Sequence, residues 1–191
     1  MTELSGDWCG MQAPETGTTI VAVSYDKVFL LRSGSAADTQ LVSDYVRYYA
    51  EQHAIGLEQP PSVKTIANLV KQMNYQNKQM LLGAMIIAGW DREAGGQVYG
   101  CPIGGTLLEE PWTTDGSGST YIWGFLDHAF RDNMSRSEAE ELVIASISLA
   151  MARDGSSGGV VRLITISKDG AERRLVKGDE VLEAIFLFLV A

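Results

Sequence analysis

Residues 15–38 read ETGTTIVAVSYDKVFLLRSGSAAD, and this stretch decides the fold. The run 18–25 is rich in β-branched residues that alternate in part, which predicts a strand, and the apolar run 28–32 predicts a second, more deeply buried strand. Only two residues separate these runs. From about Ser35 the apolar residues recur at helical spacing, so a helix follows the two strands directly.

Helical patterns continue beyond this stretch. The first helix ends near Gly56, and Ser62 is interpreted as the N-cap of a second helix. Residues 117–130 have the pattern of a third helix. Ser135 and Glu138 form a capping box ahead of a fourth helix. The apolar stripe of this fourth helix consists of Ala139, Leu142, Val143, Ile147 and Ala150.

Strand patterns lie between and after the helices. Residues 81–90 are an apolar run typical of a buried strand, and another strand is predicted around Val98. Near the end, Asp169-Gly170 is the turn signal of a β-hairpin. Strands and pairs of helices in alternating order predict helices packed on sheets. We favour two sheets face to face with helices outside them; a single sheet with helices on one side is the alternative.

The composition is that of an ordinary globular protein. Of 191 residues, 46% are hydrophobic and 20% are charged, which fits one domain with a single core. The net charge of -9 leaves no basic surface for a nucleic acid. No apolar run is long enough to span a membrane, and the polar start is not a signal peptide. Two cysteines are too few for a disulfide framework and indicate a reducing compartment.

The residue inventory argues against several kinds of catalytic site. His53 and His128 fall on predicted helices, far from any serine flanked by glycines, which argues against a serine–histidine–aspartate triad. The cysteines and histidines lack metal-ligand spacing, so the sequence predicts no metal and no cofactor. The glycine-rich stretches 116–120 and 154–159 lack the lysine and hydroxyl that end a phosphate-binding loop.

One kind of nucleophile needs no histidine. A threonine at the start of a chain carries its hydroxyl beside a free α-amine, whose reference pKa of about 7.7–8.0 allows it to act as the general base. Such an enzyme is made as a precursor and cut just before the threonine. Gly17-Thr18, at the head of the first strand, has this form. The alternative is an ordinary threonine that begins a strand.

Four ordered motifs together resemble proteasome β subunits: GTTIVAV, RSGSAADTQLVSDYV, YIWGFLDHAFRDNMS and ARDGSSGGVVR. The chain is most similar to the catalytic kind with a caspase-like preference, in a plant- or alga-like form. The resemblance extends from Gly17 to about Glu180. It implies an α+β fold, the four-layer αββα sandwich of the N-terminal-nucleophile hydrolases.

The resemblance also implies an activity and an assembly. Members of this kind are threonine-type endopeptidases of the 20S core, made as zymogens, that act in ubiquitin-dependent and general protein degradation. The implied partners are other α and β subunits in stacked heptameric rings and unfolded polypeptide substrates, without a cofactor, in cytoplasm and nucleus. The implied segments are a propeptide at 1–17, the β-type domain at 18–183 and an atypical apolar tail at 184–191.

Position by position, the resemblance gives roles to single residues. It implies that Thr18 is the nucleophile, that the Gly34 amide forms the oxyanion hole, and that Arg32 confers a preference for acidic side chains. The polar residues implied around the threonine are Ser117, Asp154 and Ser157. Plainer interpretations exist for all of them: glycine turns, an arginine that lies along the surface, and a helix-to-strand loop.

The chain departs from the family where Tyr25 runs straight into Asp26-Lys27. There the family has a longer stretch, with a Gly-Ala-Asp-Ser-Arg motif and an Asp-Lys that supplies a catalytic lysine. Roughly thirty residues are missing, about two strands and their turns. The distance from Lys27 to Arg32 matches a different Asp-Lys, so we interpret Lys27 as non-catalytic.

This gap leads to two expectations. The first sheet should be incomplete. The chain as written should have little peptidase activity, with the Gly17-Thr18 bond uncut, because the positive charge that favours the ionised hydroxyl is lost. The alternative function is therefore a non-catalytic or truncated β-type subunit with a structural role or none.

Overall fold

The structure is a computed structural model that describes residues 19–22, 28–178 and 180. Outside the described residues lie the predicted propeptide at 1–17, the predicted nucleophile Thr18, Lys27 and the apolar tail at 184–191. The predicted domain end at 183 also lies outside them.

Strands and helices alternate along the described residues. The strands are β1 (Ile20–Ala22), β2 (Phe29–Gly34), β3 (Gly83–Asp91), β4 (Gly95–Cys101), β5 (Leu108–Glu109), β6 (Thr113–Asp115), β7 (Val161–Ser167) and β8 (Gly170–Val176). The helices are α1 (Ala36–Leu57), α2 (Val63–Gln76), α3 (Trp123–Ala129) and α4 (Arg136–Arg153), with a short 3-10 helix at Ser117–Tyr121.

The strands pair antiparallel in three groups. β2, β3, β4 and β5 form one sheet in that order, β1 pairs with β6, and β7 pairs with β8. β2 pairs with β3 over its whole length, from Phe29 opposite Ala88 to Gly34 opposite Gly83. β1 has three residues, and within the described part of the chain β6 is its only strand partner. The incomplete first sheet stays a prediction, and the single strand partner of β1 among the described residues supports it.

The two faces of β3 explain how the layers form. Successive residues of a strand point to opposite faces. Met85 and Ile87 share one apolar cluster with α1 and α2, whereas Ile86 and Ala88 share another with Ile166 of β7. A third cluster joins α3 and α4 to β7 and β8. The layers are therefore helices, sheet, sheet, helices, which confirms the predicted αββα sandwich and rejects the single-sheet alternative.

Three helices begin where the sequence predicts. The hydroxyls of Ser35 and Ser62 each accept a hydrogen bond from an amide in the first turn, of α1 and α2 respectively. Ser135 and Glu138 form both halves of a capping box at α4. These side chains satisfy amides that have no carbonyl partner inside their helix. Among the described helices, none is both long and apolar enough to cross a bilayer.

The predicted third helix is interrupted. The chain forms a 3-10 turn first, in which the amide of Ile122 donates to the carbonyl of Ser119, 3.1 Å away and three residues back. The α-helical pattern starts only after Ile122. Gly116, at φ +91°, precedes the 3-10 turn with no side-chain cap. This 3-10 turn contains Ser117 and Gly118, which belong to the site described below.

The hairpin turn lies one residue earlier than predicted. Ser167 pairs with Gly170, so the two turn residues are Lys168 and Asp169. Gly170 is the first residue of β8 and has φ +134°, a conformation that favours glycine. The glycine therefore signals the right hairpin, but from the strand end and not from inside the turn.

Candidate active site

Asp154 is the C-cap residue of α4, where the backbone leaves the helix in an extended conformation. Its amide donates to the carbonyl of Ala150 at 2.8 Å, and its own carbonyl accepts from the Ser157 amide at 3.1 Å. Its residue is 8% exposed, so the carboxylate is held at the edge of the core. Helix α4 and the turn after it thus fix where this carboxylate points.

The Asp154 carboxylate accepts hydrogen bonds from two loops. Its Oδ2 accepts from Ser157 Oγ at 2.5 Å and from Ser117 Oγ at 2.7 Å, although Ser117 is 37 residues away in sequence. Its Oδ1 accepts from the Ser156 amide at 3.2 Å. The hydrogen bonds from Ser157 and Ser117 lower the pKa of Asp154 below its ordinary value of 3.8. At neutral pH the group is therefore ionised and can only accept.

Thr19 completes this group of side chains. Its Oγ1 lies 2.7 Å from Ser157 Oγ. We call Thr19, Ser117, Asp154 and Ser157 the Asp154 cluster. The structure therefore brings together the three polar residues that the sequence proposed and adds a threonine from the start of the described chain.

Gly34 ends β2 just before α1, and its position requires a glycine. Its φ is +92°, and a Cβ there would lie 2.7 Å from the Leu82 carbonyl oxygen. A side chain would therefore meet backbone that cannot move aside. Gly34 is exposed.

Arg32 is exposed on the same strand. No carboxylate of the described residues lies within ion-pair distance of its guanidinium. Hydrogen bonds within the described part of the chain do not join Arg32 or Gly34 directly to the Asp154 cluster. Their link to it is indirect.

That link is a hydrogen bond between the two sheets. The buried hydroxyl of Ser33 donates to Asp115 Oδ1 at 2.7 Å, and the same oxygen accepts from the Gly116 amide at 2.6 Å. Ser33 stands between Arg32 and Gly34, and Gly116 precedes Ser117. One carboxylate thus ties the end of β2 to the loop that contributes to the cluster.

The chemistry open to this arrangement is limited. An ionised carboxylate and three hydroxyls can orient an amine or hydroxyl and hold its proton. The nucleophile predicted from the sequence, Thr18, lies outside the described residues. Among the described residues, no group of acidic, histidine or cysteine side chains could hold a metal ion, and no lysine bonds to the cluster. Both histidines lie exposed on helices, and neither has a hydrogen bond to the Asp154 cluster within the described residues.

Sequence reasoning missed Thr19, Gly118, Ser33 and Asp115. The separation between Thr19 and Ser157 is 138 residues, so no local pattern predicts their contact. One signal is present in the Gly-Ser-Gly-Ser stretch that begins at Gly116: the resemblance gives a role to Ser117, but the glycines beside it were weighed only as part of a phosphate loop. A glycine on each side of Ser117 indicates close approach by another segment.

Comparisons with known proteins identify the family of the chain. The proteasome subunit family model matches residues 12–166. The chain is 48% identical over 172 residues to "Proteasome subunit beta type-6" of Arabidopsis thaliana, covering 90% of this chain and 74% of that relative. It is 46% identical over 164 residues to the beta type-6 subunit of Dictyostelium discoideum, covering 86% and 77%.

A third relative bears on the gap. "Proteasome subunit beta type-9" of Rattus norvegicus is 40% identical over 196 aligned positions, which use 87% of this chain and 89% of that relative. Because 87% of 191 residues is about 166, about 30 of the 196 positions have no counterpart in this chain. This number agrees with the segment that the sequence predicts to be missing.

Proposed function

Because the chain belongs to the proteasome subunit family, we propose that it acts in the proteasome core as a β-type, threonine-type endopeptidase. The family implies assembly with other proteasome subunits. We further propose stacked heptameric rings, unfolded polypeptides as substrates, synthesis as a zymogen, and a location in cytoplasm and nucleus. The Asp154 cluster is the observation that carries the proposal.

The reaction follows from the chemistry of a terminal threonine. After cleavage of the Gly17-Thr18 bond, Thr18 Oγ attacks the substrate carbonyl carbon, and its proton passes to the new α-amine. The Gly34 amide stabilises the oxyanion. The departing amine takes the proton, and water then hydrolyses the ester to restore the threonine. In this scheme Ser117, Asp154 and Ser157 orient the amine and hydroxyl.

The proposed preference is for acidic residues before the cut bond. Arg32 supports it because the side chain is exposed and has no carboxylate partner among the described residues. A cation without an internal partner is available to a substrate carboxylate. Arg32→Ala should therefore weaken cleavage after aspartate more than cleavage after leucine.

A second candidate function is that of a β subunit that fills its place without cutting. The gap of about 30 positions favours it, as does the lack of any lysine bonded to the Asp154 cluster within the described residues. We expect this function for the chain as written, and cleavage for the same chain with the missing segment restored.

The test compares two forms of the full-length chain, each assembled with the other subunits. One is the chain as written, and the other carries the corresponding segment of the Arabidopsis relative after Tyr25. We measure the N-terminus by mass spectrometry and the turnover of a fluorogenic peptide with aspartate before the reporter. We expect a cut Gly17-Thr18 bond and turnover only in the restored chain.

Thr18→Ala in the restored chain is the control and should abolish both cutting and turnover. A restored chain that assembles but stays uncut and inactive would reject the endopeptidase. Turnover by the chain as written, lost in Thr18→Ala, would reject the non-cutting alternative and make Lys27 the first candidate for the missing cation.

A further inference from the structure

We propose that Thr19 is a positioning residue: its hydroxyl holds the start of β1 against the Asp154 cluster and so places Thr18, the residue bonded to it, for cutting and turnover. The inference rests on the proposed function. It assigns Thr19 a role that acts through its neighbour and not by contact with a substrate.

The direction of each hydrogen bond follows from the acceptor at the end of the chain of hydroxyls. The ionised Asp154 carboxylate can only accept, so Ser157 must donate its single hydroxyl hydrogen to it. Ser157 Oγ can then only accept from Thr19, whose Oγ1 is 2.7 Å away. Thr19 is therefore a donor with one defined partner, and that partner is fixed by a buried charge.

A seat for the Thr19 hydroxyl is built into the opposite loop. A Cβ at Gly118 would overlap Thr19 Oγ1, and it would lie 3.0 Å from Ser157 Oγ and 3.2 Å from the Ala150 Cβ. Gly118 is buried and, unlike Gly34, does not have a positive φ. Space for Thr19, and not backbone conformation, is therefore what this glycine provides.

A second threonine holds the same strand without touching the cluster. Thr114 Oγ1 donates to the Ile20 carbonyl at 2.8 Å. It has no hydrogen bond to Asp154, Ser117 or Ser157. Thr114→Val is therefore a matched control: it loosens β1 by one hydroxyl but leaves the link to Asp154 in place.

Kinetic variants are made in the segment-restored, assembled chain. Thr19→Val keeps the shape of the side chain but removes the hydroxyl. We expect kcat for the aspartate peptide to fall by about 10-fold to 100-fold, with KM little changed. We also expect the Gly17-Thr18 bond to be cut in only part of the chains. Thr19→Ser keeps the hydroxyl and should recover most of kcat. Thr114→Val should lower kcat much less.

Gly118→Ala tests the same contact from the opposite loop. It should lower kcat as Thr19→Val does, because the added methyl displaces the Thr19 hydroxyl. Combining it with Thr19→Ala, which removes the overlapping oxygen, should cause no further loss. This non-additivity is expected only if the two residues act through one contact.

Hydrogen exchange provides a readout that does not need a cut chain. In the chain as written, the amides of Ile20–Ala22 should exchange faster in Thr19→Val than in the parent, and Thr19→Ser should restore the parent rate. Unchanged exchange in Thr19→Val would overturn the inference, whether or not the restored parent is active. Inactivity of the restored parent would reject the proposed function but not the role of Thr19. An equal fall of kcat in Thr114→Val and Thr19→Val would also overturn the inference.

Discussion

At the scale of single residues, the charge on Asp154 sets a pH dependence. Hydrogen bonds from Ser157 and Ser117 lower its pKa below 3.8, so the ionised form stabilises the folded state. This contribution is fully present above the unfolded pKa and is lost as the pH falls through the folded pKa. Near neutral pH this contribution to stability is therefore constant.

Asp154→Asn tests this dependence. We expect the variant to unfold at lower urea concentration than the parent at pH 7 and pH 5, by a similar margin. The margin should shrink once the pH is below about 3.8, where the unfolded carboxyl is protonated. A margin that is as large at pH 3 as at pH 7 would show that the charge is not what stabilises the loop.

The polar residues of the site could be proposed from the sequence only because whole motifs matched those of a family. Ser117, Asp154 and Ser157 lie within such motifs. Thr19 also lies in one, but its partner is 138 residues away, and nothing in the order of residues indicates which of two adjacent threonines meets Ser157. Asp115 and Ser33 were missed for the same reason, since their contact joins different sheets.

At the scale of secondary-structure elements, the Ser33–Asp115 hydrogen bond joins β2 to β6. Ser33 is buried, and the bond has a charged acceptor, which makes it stronger than a neutral one. Ser33→Ala and Asp115→Asn should each destabilise the chain. In a double-mutant cycle measured by urea unfolding, we expect a coupling of about 1–3 kcal/mol. Additive effects would mean that the two residues act independently.

Asp91 ties the start of α2 to the turn between β3 and β4. Its carboxylate accepts from the Val63 amide at 3.0 Å, from Gln97 Nε2 at 2.8 Å and from the Ala94 amide at 2.8 Å. Burial raises the pKa of Asp91, but hydrogen bonds, led by the one from Ala94, outweigh it and the net shift is downward.

Asp91→Ala should therefore lower the free energy of unfolding by about 2 kcal/mol, because several amides lose a charged acceptor. Glu93→Ala, an exposed site on the same turn, is the control and should change it by less than about 0.5 kcal/mol. Equal effects of the two substitutions in urea unfolding would contradict this role of Asp91.

At the scale of the whole molecule, the gap after Tyr25 should cost stability. β1 is short and has one strand partner within the described residues, so the neighbouring strands of its sheet are few. Restoring the segment of the Arabidopsis relative should raise the melting temperature by several degrees. A glycine–serine linker of equal length is the control and should not. An equal rise with the linker would show that the added strands do not pair.

The layered fold could be predicted because its signals are local. The capping serines mark where three helices begin, and the apolar run of β3 is buried on both faces, as a strand between two layers must be. The order of strands within each sheet, and the interruption before α3, could not. Both depend on which distant segments meet, and short strands such as β1 carry little pattern of their own.

The position of the Asp154 cluster along the chain has one more consequence. Ser117, Gly118, Asp154 and Ser157 all come after the gap, and they are joined by bonds that do not involve the first strand. This half of the site is therefore formed even though the segment after Tyr25 is missing. We expect a deletion near the N-terminus to remove activity but to leave this half of the site in place. The two halves of the site are therefore separable, and we expect a separate segment that carries the missing strands to complement this half in trans.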